Sequence, residues 1–435
     1  MIRHTAFVLA SIAIPVAIPS AAHAATPIND LGSGLYLGQY PGGLYPNSSN
    51  DVPAAHALEG RARANQIGPL NTSGQPDPAG KFVFLSVGMS NTSQEFAGVD
   101  QSLQFQPYSF MGQSAAHPAV NHTSMVLFNG ARGGQDASTW DSPADANYTR
   151  VHSDLTTNGL SESQVEVAWL KVANAQPTFS LPNANADANL LVQQMGNIVR
   201  AMKTHYTNLK TVFISSRIYA GYATSSLNPE PYAYESGFAV KRLMQAQITQ
   251  AAGGATDPLA GNLDYTSGAA PWLAWGPYLW ADGANPRSDG LTWLPTDFGP
   301  DGTHPNDTGR RKVGTMLVQN MLTSPFAQRW YLSTRPGDAN LDHSVNLLDF
   351  NILSQNFGQS SRTWTTADFD YNGVVNLEDF NILAGNFGLS AGPDGVVDPS
   401  DWASLAAAVP EPTTVLPLSS LPALAGIGRC SRRRR

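Results

Sequence analysis

Cysteine is almost missing: the 435 residues hold one, Cys430. No intrachain disulfide can form, so stability has to come from a core and from bound metal. Charge is sparse at 13%, and acids outnumber bases by 33 to 25. A net charge of −8 offers no basic surface to a phosphate backbone, which argues against nucleic acid as a partner. Neither apolar stretch, 6–18 or 415–428, reaches the ~20 residues that span a bilayer. Abundant instead are Gly (39) and Pro (31), beside an ordinary 42% of apolar residues. That mixture suits a loop-rich extracellular protein. At ~100–200 residues per domain, the chain has room for one large domain and one small one.

Both ends read as targeting segments. Arg3 and His4 precede the apolar stretch 6–18, and Ala22-His23-Ala24 forms a small-x-small cleavage site. A signal peptide over 1–24, with maturation at Ala25, is expected. At the other end, Val409-Pro410-Glu411-Pro412 is followed by the apolar run 415–428, then Arg429-Cys430-Ser431 and Arg432 to Arg435. Pro417 and Pro422 make that run a poor permanent helix. The order of the three parts resembles a PEP-CTERM sorting signal over 409–435, which implies envelope sorting machinery as a partner. The plainer reading is a charged tail. Export to the medium or to the outer surface of the cell envelope is the expectation.

Residues 26–80 are rich in Gly, Pro, Asn and Ser without a sustained period. They are read as an irregular arm, over 25–80, lying on the main domain. From 81 the texture changes. Apolar, β-branched runs at 81–88, 124–130, 164–172 and 211–219 have the length of buried parallel strands. Leu191, Met195, Ile198, Met202 and Tyr206 share one helix face, and 235–252 and 307–322 are also amphipathic. Strands alternating with helices predict a doubly wound α/β sheet, whose site lies at the strand C-terminal ends.

Beyond Arg335-Pro336 the sequence repeats itself: 337–358 recurs as 367–388, and Asp-Phe-Asn-Ile-Leu stands in both. Oxygen-bearing residues fall at positions 1, 3, 5, 9 and 12 of a loop that opens a helix. In the first copy they are Asp338, Asn340, Asp342, Asn346 and Asp349; in the second, Asp368, Asp370, Asn372, Asn376 and Asp379. Ser344 and Val374, at position 7, would give a backbone carbonyl, and Val345 and Val375 at position 8 would pin each loop to the core. Such spacing wraps the six to eight oxygens that Ca²⁺ wants around one point. Two ions are expected; the plainer reading is two acidic turns capping helices. The repeat resembles a dockerin type I module, placed over 335–404, a small all-α, EF-hand-like unit. The resemblance implies a cohesin-like protein partner. His343 replaces Gly at position 6, where φ is positive, so weaker binding is expected at the first loop. A third fragment at 394–401 matches only positions 5, 6, 9 and 12, and no ion is expected there.

Late in the large domain stands Asp301-Gly-Thr-His304-Pro305. Asp and His three apart on a loop can hydrogen-bond, which orients an imidazole as a base. A serine hydroxyl is a weak nucleophile until such a base takes its proton. Ser90, in Gly88-Met89-Ser90-Asn91-Thr92, follows the first strand. These two blocks resemble the SGNH/GDSL hydrolases, over about 80–325. The resemblance implies a three-layer α/β/α, flavodoxin-like domain over 81–330, with Ser90, Asp301 and His304 as catalytic triad and no cofactor for catalysis. It also implies an oxyanion hole: the serine N–H, a glycine after the second strand (Gly134, or Gly133 beside it) and an asparagine after the third (Asn174). Two departures stand out. Met89 replaces the acid of Gly-Asp-Ser, and the Gly-x-Asn-Asp block is absent.

Other residues compete for roles. Asp297 is an alternative orienting acid. Gln94 and Glu95 either line the pocket or cap a helix. Arg217 and Tyr219 either touch substrate or pack. Trp272, Trp275, Trp280 and Trp293 either form a sugar-stacking wall or fill the core. His56, His117, His122, His152 and His205 show no pairing. The expectation is a secreted serine esterase that removes acetyl or similar acyl groups from a polysaccharide. The alternative is a non-catalytic surface protein that binds glycan or protein on the same scaffold.

Overall fold

The computed structural model describes residues 25–342 and 344–389. The expected signal segment 1–24, His343, the fragment 394–401 and the tail 409–435 lie outside them.

Five strands form one parallel sheet: β1 (Phe82–Gly88), β2 (Met125–Asn129), β3 (Val165–Lys171), β4 (Thr211–Ile214) and β5 (Trp272–Trp275). Their order is β2-β1-β3-β4-β5. This is the flavodoxin-like order, with its topological switch between β1 and β3. Every residue of β1 and β3 is buried, as a sheet covered on both faces requires. The phenyl ring of Phe84 meets Phe96, Phe110 and Trp330, so that face lies under α2 (Ser90–Phe96) and α3 (Phe110–Ala116). α7 (Asp307–Thr323) packs on α3. The opposite face, reached by Leu85, lies under α4 (Ala146–Thr157), α5 (Asp187–His205) and α6 (Tyr232–Ala251). The result is a three-layer α/β/α domain. α5 buries Leu191, Met195, Ile198 and Met202, the stripe that the 3.6-residue period marks.

Two segments differ from expectation. The arm is not irregular throughout: it holds α1 (Ala54–Ala64) and a short hairpin pairing Leu35–Tyr36 with Tyr40–Pro41. α1 escapes a hydrophobic-period reading because the face it buries is His56, Ala57, Gly60 and Ala64. Those small residues allow close approach; a Cβ on Gly60 would stand 2.3 Å from Trp272. The second difference is β5, four residues between Pro271 and Gly276. Trp272, Trp275, Trp280 and Trp293 are buried, so they fill the core and form no sugar-stacking wall.

Beyond the large domain, α8 (Leu347–Asn356) and α9 (Leu377–Asn386) build a second apolar cluster around Val345, Phe350, Trp364, Val375 and Leu383. The two units touch. Trp364 N–H donates to Gln328 Oε1 at 3.1 Å, and the Arg329 guanidinium lies 5.6 Å from the Tyr371 ring centre. Among the described residues, no helix is long and apolar enough to cross a membrane.

Candidate active site

Each strand of the sheet delivers residues to one edge. Gly88 ends β1 with φ +152, and a Cβ there would lie 2.1 Å from the Lys171 carbonyl oxygen. Only glycine lets β1 turn that tightly against β3 and start α2 at Ser90. Thr92 fixes the turn, giving its hydroxyl to the Lys171 carbonyl (2.6 Å) and accepting the Met89 N–H (3.3 Å). Ser90 thereby becomes the first residue of a helix, where main-chain N–H groups have no intrahelical acceptor.

His304 arrives from the loop between β5 and α7. Its Nε2 stands 2.8 Å from Ser90 Oγ, and its Nδ1 stands 2.5 Å from Asp301 Oδ2. The other oxygen of Asp301 accepts the N–H groups of His304 (3.0 Å) and Thr303 (3.1 Å). Burial pushes the Asp301 carboxyl up. The imidazole and those two N–H groups outweigh it and hold the carboxyl below the usual range. Asn91 Nδ2 donates to the Thr303 carbonyl (3.2 Å), and Thr224 N–H donates to the Asp301 carbonyl (2.9 Å), so the loop is tied on two sides. Asp297 is elsewhere. It is buried, accepts the Leu294 N–H and pairs with Lys312 at 2.5 Å, so it does not orient His304.

Met89, Ser90, Gly134, Asn174, Arg217, Asn228 and His304 line a cleft of about 260 Å³. Gly134 has φ +75 and follows β2. A Cβ on Gly133 would stand 3.9 Å from Ser90 Cβ, so this segment runs beside the serine. Among the described residues, neither glycine gives its N–H to another group. Asn174 follows β3; its Nδ2 donates to Asp187 Oδ1 at 3.0 Å, and its carbonyl accepts Asn228 Nδ2 at 3.1 Å. Burial pushes Asp187 up to about 6, against the hydrogen bond from Asn174.

Sequence reasoning placed Glu95 in the pocket or at a cap. It is instead fully buried on α2, ion-paired with the equally buried Lys171 at the end of β3. Burial pushes Glu95 up and Lys171 down to about 8. The signal was available: Lys171 is the charged residue of an otherwise apolar stretch, Val167 to Val172, and a buried cation there needs an acid. Gln94 and Tyr219 do not line the cleft. Arg217 does, as does Asn228, which no motif or spacing singles out.

In the module, oxygens of Asp368, Asp370 and Asp379 lie within 4.8 Å of one another, and Asp368 Oδ1 is buried without a hydrogen-bond partner. Burial pushes Asp368 up to about 7, with repulsion from Asp379 and Asp370 adding to it. Gly373, at position 6, has φ +86 and gives its N–H to Asp368 Oδ2. Three crowded carboxylates and one orphan oxygen are what a hard cation would satisfy. The first loop keeps the same turn: Leu341 and Tyr371, both at position 4, have φ near 60 (61 and 59). Asn340 Nδ2 donates to Asp342 Oδ2 (2.9 Å) in the first loop, as Asn372 Nδ2 does to Asp370 Oδ2 (2.7 Å) in the second. Asp349 and Asp379 each accept three main-chain N–H groups of their own loop.

Residues 336–387 match the dockerin type I domain. No curated protein is similar enough in sequence to match the chain. Among solved structures, a protein from Arabidopsis thaliana is 12% identical with a TM-score of 0.28; the match covers 48% of this chain and 65% of that one. A protein described as a GDSL-like lipase, from Parabacteroides merdae, is 10% identical with a TM-score of 0.30, covering 58% and 97%. A carbohydrate esterase family 2 enzyme from Corynascus thermopiles (Myceliophthora fergusii) is 13% identical with a TM-score of 0.29, covering 56% and 66%. At such scores the chemistry has to be argued from the residues of this chain.

Proposed function

We propose that the large domain is a serine esterase acting on an acylated glycan, and that the dockerin-like module binds calcium and docks the enzyme to a protein partner. The observation that carries the first half is the chain of contacts from Ser90 Oγ through His304 to Asp301, at 2.8 and 2.5 Å. Ser90 Oγ attacks the ester carbonyl as His304 Nε2 takes its proton. Asp301 holds Nδ1–H and favours the imidazolium that forms. The oxyanion meets the N–H groups of Ser90 and Gly134 and the amide of Asn174; one lost donor of this kind costs about 3–4 kcal/mol of barrier. His304 returns the proton to the leaving alcohol. Water then attacks the acyl-serine as His304 takes its proton; His304 returns that proton to Ser90 Oγ as the acyl–oxygen bond breaks, which frees the acid and restores the serine.

The carbohydrate part rests on the module as well as the site. Asp338, Asn340, Asp342, Ser344, Asn346 and Asp349 would hold one ion; Asp368, Asp370, Asn372, Val374, Asn376 and Asp379 would hold the other. A cohesin-like protein is the partner such a module implies. The targeting readings of 1–24 and 409–435 put the enzyme outside the cell or on its envelope.

The test is hydrolysis of 4-nitrophenyl acetate by the mature protein and by Ser90→Ala. The variant is expected to lose at least about 10³-fold in kcat/KM. Equal rates would end the esterase reading.

A further inference from the structure

Arg217 stands in the wall of the cleft, three residues past β4, and is 2% exposed. Its main-chain N–H is used, donating to Ser236 Oγ at 3.1 Å. Its side chain is not: Nε and Nη2 are buried with no hydrogen-bond partner. A guanidinium carries five N–H donors and keeps its charge in proteins, so a dry, unpaired one is costly. Nearby acids do not relieve it, because each is engaged elsewhere. Glu95 holds Lys171. Glu230 accepts Trp280 Nε1–H (2.8 Å), the Ala220 N–H (2.9 Å) and the Tyr234 N–H (3.0 Å). Asp301 holds His304. Burial pushes the guanidinium pKa down, and these three acids oppose that only through their field.

A second unmet atom belongs to a residue that lines the same cleft. Asn228, also 2% exposed, spends its Nδ2 on the Asn174 carbonyl, while its Oδ1 is buried without a partner. The cleft that holds Ser90 and His304 is therefore also lined by a guanidinium fork and an amide with unmet hydrogen-bonding atoms. A simple acetyl ester answers neither. A carboxylate fits the fork with two parallel hydrogen bonds, and a hydroxyl fits the acceptor.

From this juxtaposition we infer that the cleft recognises an ester of an acidic sugar, its carboxylate seated on Arg217 and a neighbouring hydroxyl on Asn228. The inference rests on the serine-esterase reading of the same site. A carboxylate on the acyl chain would offer the same fork partner. The acceptor in the same cleft favours the sugar, because it asks for a hydroxyl as well as a carboxylate on the bound group.

The test compares kcat/KM of the full mature chain for O-acetylated methyl glucuronoside and O-acetylated methyl glucoside, at a pH where the carboxylate is ionised. A second pair, 4-nitrophenyl hemisuccinate against 4-nitrophenyl acetate, places the charge on the acyl side. The acidic sugar is expected to be preferred by about tenfold or more, mostly in KM. Arg217→Gln should bring that ratio close to one. Arg217→Lys, which keeps the charge and loses the fork, should fall between. Methyl glucuronoside should inhibit the wild-type protein competitively. Should Arg217→Gln fail to fold, the wild-type ratio and this inhibition still decide. Equal kcat/KM for the two sugars, or a preference that survives in Arg217→Gln, overturns the inference. A preference for the hemisuccinate alone overturns the assignment to sugar. Ser90→Ala hydrolysing as fast as wild type would instead remove the esterase reading itself. Serine-dependent hydrolysis with no acid preference sinks only this inference.

Discussion

Asp301 works through geometry. One oxygen holds Nδ1 of His304, and the other takes two N–H groups of its own loop, so the carboxylate cannot turn away from the ring. Asp301→Asn keeps the shape but presents a donor where the imidazole needs an acceptor. It is expected to lower kcat by about 10²–10⁴-fold while KM changes little. An Asn variant with full kcat would mean that the contact is only structural. Gly88 carries a different burden. Gly88→Ala forces a methyl group into the Lys171 carbonyl, 2.1 Å away, at a φ that L residues avoid. A loss of about 1–3 kcal/mol in chemical denaturation is expected, together with reduced activity, because the turn that aims Ser90 must shift.

At the scale of elements, α2 is locked to β3 by the buried pair of Glu95 and Lys171. Removing one partner strands the other. Glu95→Ala should cost about 3–5 kcal/mol, whereas the double change Glu95→Leu with Lys171→Met should recover much of that. A double variant no more stable than the single one would show that the pair is not what links the two elements. α6 is tied to the hairpin by Glu235, which accepts the Tyr36 hydroxyl (3.0 Å) and the Leu181 N–H (2.9 Å). Burial pushes its carboxyl up to about 7. A raised acid favours folding in its protonated form, so its contribution is full below the ordinary glutamate range and is lost as pH rises through about 7. The wild-type protein should lose on the order of 2 kcal/mol more than Glu235→Gln between pH 5 and pH 8, read from paired melts.

The elements also show what the sequence makes legible. β1 to β4 were readable because parallel strands buried on both faces are continuous apolar runs, and α5 because its stripe is large and aliphatic. α1 and β5 were not. α1 buries a glycine, two alanines and a histidine, which carry no hydrophobic signal until Trp272 is known to lie against them. β5 is four residues long, two of them tryptophan, and a short aromatic run has no period to read. In the site, Ser90, Asp301 and His304 stood out by order and placement. Arg217 and Asn228 did not, since their meaning lies in hydrogen bonds they fail to make, and only the folded cleft shows those.

For the whole molecule, the module meets the large domain through Trp364, Gln328, Arg329 and Tyr371. Trp364 also gives its indole N–H to the Asp338 carbonyl at 2.6 Å, at position 1 of the first loop. Its emission should therefore change when Ca²⁺ is added and return with a chelator, and Trp364→Phe should abolish the change. Calcium at 100 times its dissociation constant would add about 2.7 kcal/mol to the stability of the module. Asp368→Asn should remove most of that gain at the second loop. A melting profile that ignores both calcium and chelator would contradict ion binding.

The central claim is that Ser90 is a nucleophile activated by His304. It is tested most directly by treating the mature protein with a serine-reactive fluorophosphonate and measuring intact and peptide masses. One adduct per chain is expected, on the peptide that carries Ser90, absent in Ser90→Ala and formed at least about 10²-fold more slowly in His304→Ala. No adduct on wild-type protein that is folded by circular dichroism, or an adduct that persists in Ser90→Ala, would contradict the account.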